Sequence, residues 1–159
     1  MRITILTVLA FLLTFAMTVA TGGQDQESAT TIPDGASQLA VISADIEWQA
    51  CPAGLPPGCE IVVLEGSPKT PDLFTVRFRL SGEFLMPPHT HPKHERVTVL
   101  SGRTAVAFGI GATREDAKEF GPGDYYVNAP GAIHTVWIDE PSVLQITGFG
   151  PWEANFVDQ

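Results

Sequence analysis

Charge is scarce in this sequence. Asp, Glu, Lys and Arg supply 17% of its 159 residues, below the roughly 25% of an ordinary soluble domain. Basic residues are scarcer still: 9 Lys and Arg stand against 18 Asp and Glu, a formal net charge of −9. That balance argues against nucleic acid and anionic membrane surfaces as partners, since neither meets a basic patch. Only 2 cysteines are present, and they do not form the Cys-x-x-Cys of a redox motif. No Ser-His-Asp pattern has the spacing of a hydrolase elbow. Gly109–Gly111 is not followed by the Lys-Ser/Thr of a phosphate-cradling loop. No helix-forming stretch is long enough to cover a parallel sheet. The length allows one core, not two.

Against these absences stands one apolar run, Ile5–Val19, preceded by a single charge, Arg2. A basic start, an apolar centre and the small residues before a cut after Ala20 read as a secretory signal over 1–20 rather than a retained anchor. The expectation is an exported protein, periplasmic or extracellular, without stable membrane insertion once the signal is removed. Residues 21–36, TGGQDQESATTIPDGA, read as a flexible lead-in to a single domain over 37–159. In an oxidising compartment Cys51 and Cys59, in CPAGLPPGC, are expected to staple a short loop; a thiolate metal site is the less favoured alternative.

Past the lead-in, β-branched and aromatic runs alternate with Gly/Pro turns. The predicted strands are Leu39–Trp48, Ile61–Leu64, Phe74–Leu80, Phe84–Pro88, Glu95–Leu100, Thr104–Gly109, Asp124–Ala129, His134–Ile138, Val143–Thr147 and Ala154–Val157. Ala112–Phe120 alone has helical composition, and an edge strand suits it equally. Many short strands imply an all-β antiparallel sandwich or barrel. Period-2 alternation puts Glu95, Val97 and Val99 on one face, and His134, Val136 and Ile138 on one face.

The 4 histidines fall in two places: His89-Thr90-His91-Pro92-Lys93-His94-Glu95, and His134. His-x-His on a strand puts two imidazoles on one face, close enough for a single metal ion. Glu95 opens the next strand, and His134 completes a set of three imidazoles and one carboxylate. Such a set leaves positions free on Mn, Fe, Ni or Cu, and suits Zn less specifically. A solvated, histidine-rich surface loop is the competing reading. His94, on the turn, is either an outward ring or a proton relay or replacement ligand, and is kept with Glu95 as a catalytic candidate. Arg77, Arg79 and Arg96 are spaced as outward residues; one turned inward would be a handle for a carboxylate substrate.

At these residues the sequence resembles the cupin superfamily. His89, His91, Glu95 and Gly102 fall at the intervals of that superfamily's first motif, with Gly82 opening it one residue early. Gly123, Gly131 and His134 match its second motif, with the proline displaced by one to Pro130 and Ile138 standing at the asparagine position. The resemblance spans roughly Leu73–Gly148, and the PPHTHPKHERVTVLSG block and closing GFGPW look like small exported single-domain bacterial cupins. It implies a double-stranded β-helix, a jelly-roll barrel of two antiparallel sheets. It also implies His89, His91, Glu95 and His134 as ligands of one divalent transition metal per chain, with Fe, Mn or Cu ahead of Ni or Zn. A homodimer is implied too, with Leu39–Trp48 as a candidate edge strand. Phe84, Met86, Val97, Val99, Phe108, Tyr126, Val136 and Ile138 are the candidate pocket lining.

Three functions fit. The first is a metal-dependent oxidoreductase, of oxidase or dioxygenase type, on a small organic or saccharide-like substrate. The second is a non-redox metal-dependent isomerase or lyase, and the third a non-catalytic small-ligand-binding domain. In the first, Glu95 either stays ligated or dissociates to act as base.

Overall fold

Alternation along the strands sets the architecture. In Leu73–Leu80, LFTVRFRL, Phe74, Val76, Phe78 and Leu80 are buried while Arg77 and Arg79 face outward, the pattern of a sheet with one face on a core. The computed structural model describes residues 30–157. Residues 1–20, expected to be a secretory signal, and the first part of the expected lead-in lie outside the described residues. Thr30, within the lead-in, exchanges backbone hydrogen bonds with Gly66.

Among the described residues eleven strands follow in chain order: β1 (Gln49–Ala50), β2 (Cys59–Glu65), β3 (Leu73–Leu80), β4 (Phe84–Thr90), β5 (Glu95–Ser101), β6 (Thr104–Phe108), β7 (Lys118–Phe120), β8 (Tyr125–Asn128), β9 (His134–Ile138), β10 (Ser142–Phe149) and β11 (Asn155–Phe156). They form two antiparallel sheets, β1-β2-β3-β10-β5-β8 and β11-β4-β9-β6-β7. Phe74, Val76, Phe78, Val97, Val99, Leu144 and Ile146 from the larger sheet pack against Phe84, Met86 and Ile138 from the smaller. Among the described residues no helix is long and apolar enough to cross a membrane.

Two expectations need correction. The sheets do not close into a barrel: among the described residues β1 and β8 are the edges of one sheet, β11 and β7 of the other. Closure would require ladder hydrogen bonds between the edges. Instead β8 pairs with β5 across the whole of Tyr125–Asn128, and β7, only three residues long, pairs with β6. Leu39–Trp48 is not a strand either. It holds a 3-10 turn at Ser43–Asp45, and among the described residues pairing begins only at Gln49. The Ala112–Phe120 segment divides into a 3-10 turn, Arg114–Asp116, and the edge strand β7.

Cys51 and Cys59 are disulfide-bonded, with Cα atoms 5.5 Å apart. Closing so short a loop stabilises the fold by on the order of 2–3 kcal/mol. Gly58 O accepts a hydrogen bond from Ser81 N, which ties the loop to the end of β3.

Candidate metal centre

The two halves of the site come from opposite sheets. His89 of β4 and His134 of β9 are register partners in the smaller sheet; Glu95 of β5 and Asn128 of β8 are register partners in the larger. His91 follows β4 directly. A bulge makes this possible. Phe84 and Met86 pair with Ile138 and Val136, and the register then slips by one before His89 meets His134. Pro87 and Pro88, which cannot donate to a ladder, occupy the slip. Without it, the alternation that buries Phe84 and Met86 would turn His89 and His91 to the outside.

All four groups are buried: His89 and His91 are 2% exposed, His134 0% and Glu95 5%. One ligand atom from each of His89, His91 and His134 lies within 4.8 Å of the other two. Each imidazole is oriented by a backbone carbonyl: Nδ1 of His89 donates to Pro87 O at 2.7 Å, Nδ1 of His91 to Glu153 O at 2.7 Å, and Nδ1 of His134 to Ala132 O at 2.9 Å. Carbonyl oxygens only accept, so Nδ1 carries the proton and Nε2 keeps its lone pair.

That tautomer leaves a conflict only a cation resolves. Nε2 of His91 lies 3.2 Å from Glu95 Oε1, and Nε2 of His134 lies 3.5 Å from Glu95 Oε2. Both nitrogens are buried without a hydrogen-bond partner. Lone pairs buried against a carboxylate are unfavourable, and a proton or a metal ion between them relieves this. Three converging imidazoles and a carboxylate fit a divalent transition ion.

The titration of the site follows from the same geometry. Burial, reinforced by His134, depresses His89 from 6.5 to about 4. Burial pushes His91 down as well, but the Glu95 carboxylate outweighs it and leaves His91 raised. Burial would raise Glu95; His134 and His91 overcome this and hold its carboxyl far below the ordinary carboxylate range. Burial and the Glu95 charge push the Tyr126 hydroxyl up, so it stays protonated.

His89 gives this a sign for the metal-free protein. An imidazole whose folded value is depressed is protonated more easily in the unfolded chain. Its contribution is therefore whole above about pH 6.5 and is lost as the pH falls toward about 4. Metal-free wild type is expected to lose about 2–3 kcal/mol more stability than His89→Asn between neutral pH and about pH 4.5. Urea unfolding of both proteins at the two pH values measures it, and equal losses would refute it.

A cavity of about 70 Å³ adjoins His89, His91 and Glu95. Of the expected lining, Phe84, Met86, Val97, Tyr126 and Val136 border it. Val99 and Ile138 are packed into the core instead, 0% and 1% exposed. Phe108 is 57% exposed, with its ring 6.0 Å from that of His134, and lines a separate cavity between β6, β7 and β8. His94 is exposed on the turn and stays outside the cluster. Neither Arg77, Arg79 nor Arg96 lines the cavity.

Several contacts went unrecognised in the sequence. Asn128 donates from Nδ2 to Glu95 Oε2 at 2.8 Å; its place inward of Tyr125 and Val127 was readable, its bond to Glu95 was not. Trp152 stacks on His91 at 4.8 Å, with planes 15° apart, and the neighbouring Glu153 carbonyl holds that imidazole. Phe78, Leu80, Leu144 and Ile146 line the cavity from β3 and β10, and their alternation was a usable signal. Leu55, inside the disulfide loop, had none.

Two antiparallel sheets that bring three imidazoles and a carboxylate together between them define a cupin-type domain. The chain belongs to the ChrR cupin-like domain family, which matches residues 36–153. Among solved structures, KdgF from Halomonas sp. is similar at 24% identity and a TM-score of 0.53, over 68% of this chain and 91% of that one. The acetylacetone dioxygenase of Acinetobacter johnsonii is similar at 22% identity and a TM-score of 0.61, over 83% of this chain and 85% of that one. The polyketide cyclase RemF of Streptomyces resistomycificus is similar at 18% identity and a TM-score of 0.61, over 76% of this chain and 85% of that one. Likeness at these identities is likeness of fold. No curated protein matches the chain.

Proposed function

We propose that this chain is a metal-dependent oxidoreductase, of oxidase or dioxygenase type, acting on a small organic molecule in an exported compartment. His89, His91, His134 and Glu95 would hold one divalent transition ion, Fe, Mn or Cu ahead of Ni or Zn. The observation that carries this reading is the pair of buried, partnerless Nε2 atoms facing Glu95. A bound metal of this kind supplies redox and Lewis-acid chemistry.

The chain's own residues supply the rest. Backbone carbonyls hold the imidazoles in one tautomer, and Asn128 holds the carboxylate. A carboxyl held so strongly ionised is a weak base, which favours Glu95 as ligand over Glu95 as proton acceptor. His94, exposed and outside the cluster, drops out of the catalytic set. The cavity beside the imidazoles is walled mostly by apolar side chains. Burial of the triad speaks against a metal open to a saccharide polymer. The fold shared with the dioxygenase of Acinetobacter johnsonii is consistent with oxygen chemistry on this scaffold. The disulfide supports export.

The test is elemental analysis of protein purified without a histidine-rich tag, followed by oxygen-electrode and peroxide-consumption assays with small diketones, catechols and enols. Near-stoichiometric Fe, Mn or Cu with consumption that depends on the metal supports the reading. Stoichiometric Zn or Ni with turnover and no oxygen use would replace it with isomerase or lyase chemistry. A folded protein that takes up no metal would overturn it.

A further inference from the structure

The cavity is longer than the metal centre, and its far end is built differently. Strand register orders it. From His89, β4 runs back through Met86 to Phe84. In the opposite sheet Phe78 and then Leu80 of β3 lie progressively further from the metal, and Leu80 pairs with Cys59. Leu55 of the disulfide loop borders the cavity beside Cys59. The loop is tied down at this end by Cys51 N donating to Cys59 O at 3.2 Å and by Ser81 N donating to Gly58 O at 2.9 Å. One end of the cavity therefore carries imidazoles and a carboxylate; the other is hydrocarbon and disulfide sulfur.

From this arrangement we infer that the site takes a small molecule with an oxygen-bearing head at the metal and a short, unbranched apolar body directed at Leu55, which sets the longest body accepted. The inference rests on the metal reading above for the head and on the cavity alone for the body. No Lys or Arg lines the space, so an anionic tail has no partner. No Ser, Thr, Asn or Gln lines it either, and beyond the imidazoles and Glu95 its polar side chains are Tyr126 and Trp152, so most hydroxyls of a sugar would lose water without gaining a partner. About 70 Å³ accommodates roughly five to seven water-sized groups, which limits the body to a few carbons.

The experiment uses full-length mature protein loaded with the metal it retains. Its probes are straight-chain alkyl hydroxamates from acetyl to octanoyl, gluconohydroxamate as the polyol control, and the matching n-alkanols on metal-free protein. Affinity is read by titration calorimetry and by tryptophan fluorescence, since Trp152 lies against His91. Affinity is expected to rise about fourfold per methylene, up to a break near roughly five carbons. Leu55→Ala should move the break outward by roughly two or three carbons, the volume removed, and Leu55→Phe should move it inward. Gluconohydroxamate should bind at least about tenfold more weakly than the hydroxamate of equal carbon number.

A flat length dependence, a polyol that binds as well as the alkyl probes, or a break that neither folded Leu55 variant moves would overturn the inference. The two readings fail separately. Alkanols that keep the length dependence, with hydroxamates gaining nothing from the metal, support the apolar body and sink the metal head. Hydroxamates that need the metal but ignore length do the reverse.

Discussion

Alanine at both His89 and His134 is expected to abolish metal binding while the sheets still form. These two residues face each other in register across β4 and β9, with ring centroids 4.1 Å apart. Removing them leaves one imidazole, His91, and one carboxylate, Glu95. Ligand contributions to structural metal binding imply that losing two donors weakens affinity by at least roughly a thousandfold. Elemental analysis should find about one metal per chain in wild type and almost none in the variant. Circular dichroism should stay that of a β protein, because neither ring belongs to the apolar cluster between the sheets. His94→Ala is the matched control, since His94 is exposed beside the site, and it should keep its metal. Full metal retention in the double variant would show that the ion is held elsewhere.

The largest stability effect is expected at Phe74. Its side chain is 0% exposed, and the ring sits where β10 carries Gly148, its register partner. A Cβ on that glycine would lie 3.2 Å from the ring, so the glycine makes room for the phenyl group. Trp152 packs on the same ring with centroids 5.9 Å apart, lies 6.1 Å from the Phe78 ring and stacks on His91. Phe74→Ala should lower unfolding free energy by about 3–5 kcal/mol, a large part of the roughly 5–15 kcal/mol of an ordinary domain. Urea denaturation measures it. Leu85→Ala, at a site 44% exposed on β4, should stay within about 0.5 kcal/mol. A Phe74→Ala loss no larger than that of Leu85→Ala would mean that the core is organised around other residues.

The strand positions were legible because they depend on local alternation. His134–Ile138 falls as predicted, and Phe74–Leu80, Glu95–Leu100 and Val143–Thr147 lie inside β3, β5 and β10. The inward faces of Glu95-Val97-Val99 and of Tyr126-Asn128 follow from the same periodicity. Leu39–Trp48 misled for the complementary reason. Its apolar residues suit a strand, but Val41 and Ile42 are 40% and 60% exposed and the segment pairs with nothing until Gln49. β-propensity describes a surface to be paired, and it forms no strand without a partner.

Histidine parity was the subtler case. Simple alternation from Phe84 and Met86 puts His89 and His91 outside, and the motif resemblance puts them inside. The bulge at Pro87 and Pro88 reconciles the two. Proline marks where a ladder is interrupted, but only the partner strand shows whether the register slips there.

By itself the sequence determined the all-β class, the disulfide partners, the histidines and carboxylate that meet, and the positions of most strands to within two residues. Each of these is written in residue type or short-range periodicity. Tertiary structure alone decided that the two sheets stay open, that Asn128 holds Glu95, and that Trp152 and the Glu153 carbonyl come back to His91 from the C-terminal segment. It also decided that Leu55 of the disulfide loop comes to border the cavity. These are contacts between residues distant in the chain, made where burial and hydrogen-bond satisfaction are settled for the whole core at once, and no local pattern encodes which distant partner wins.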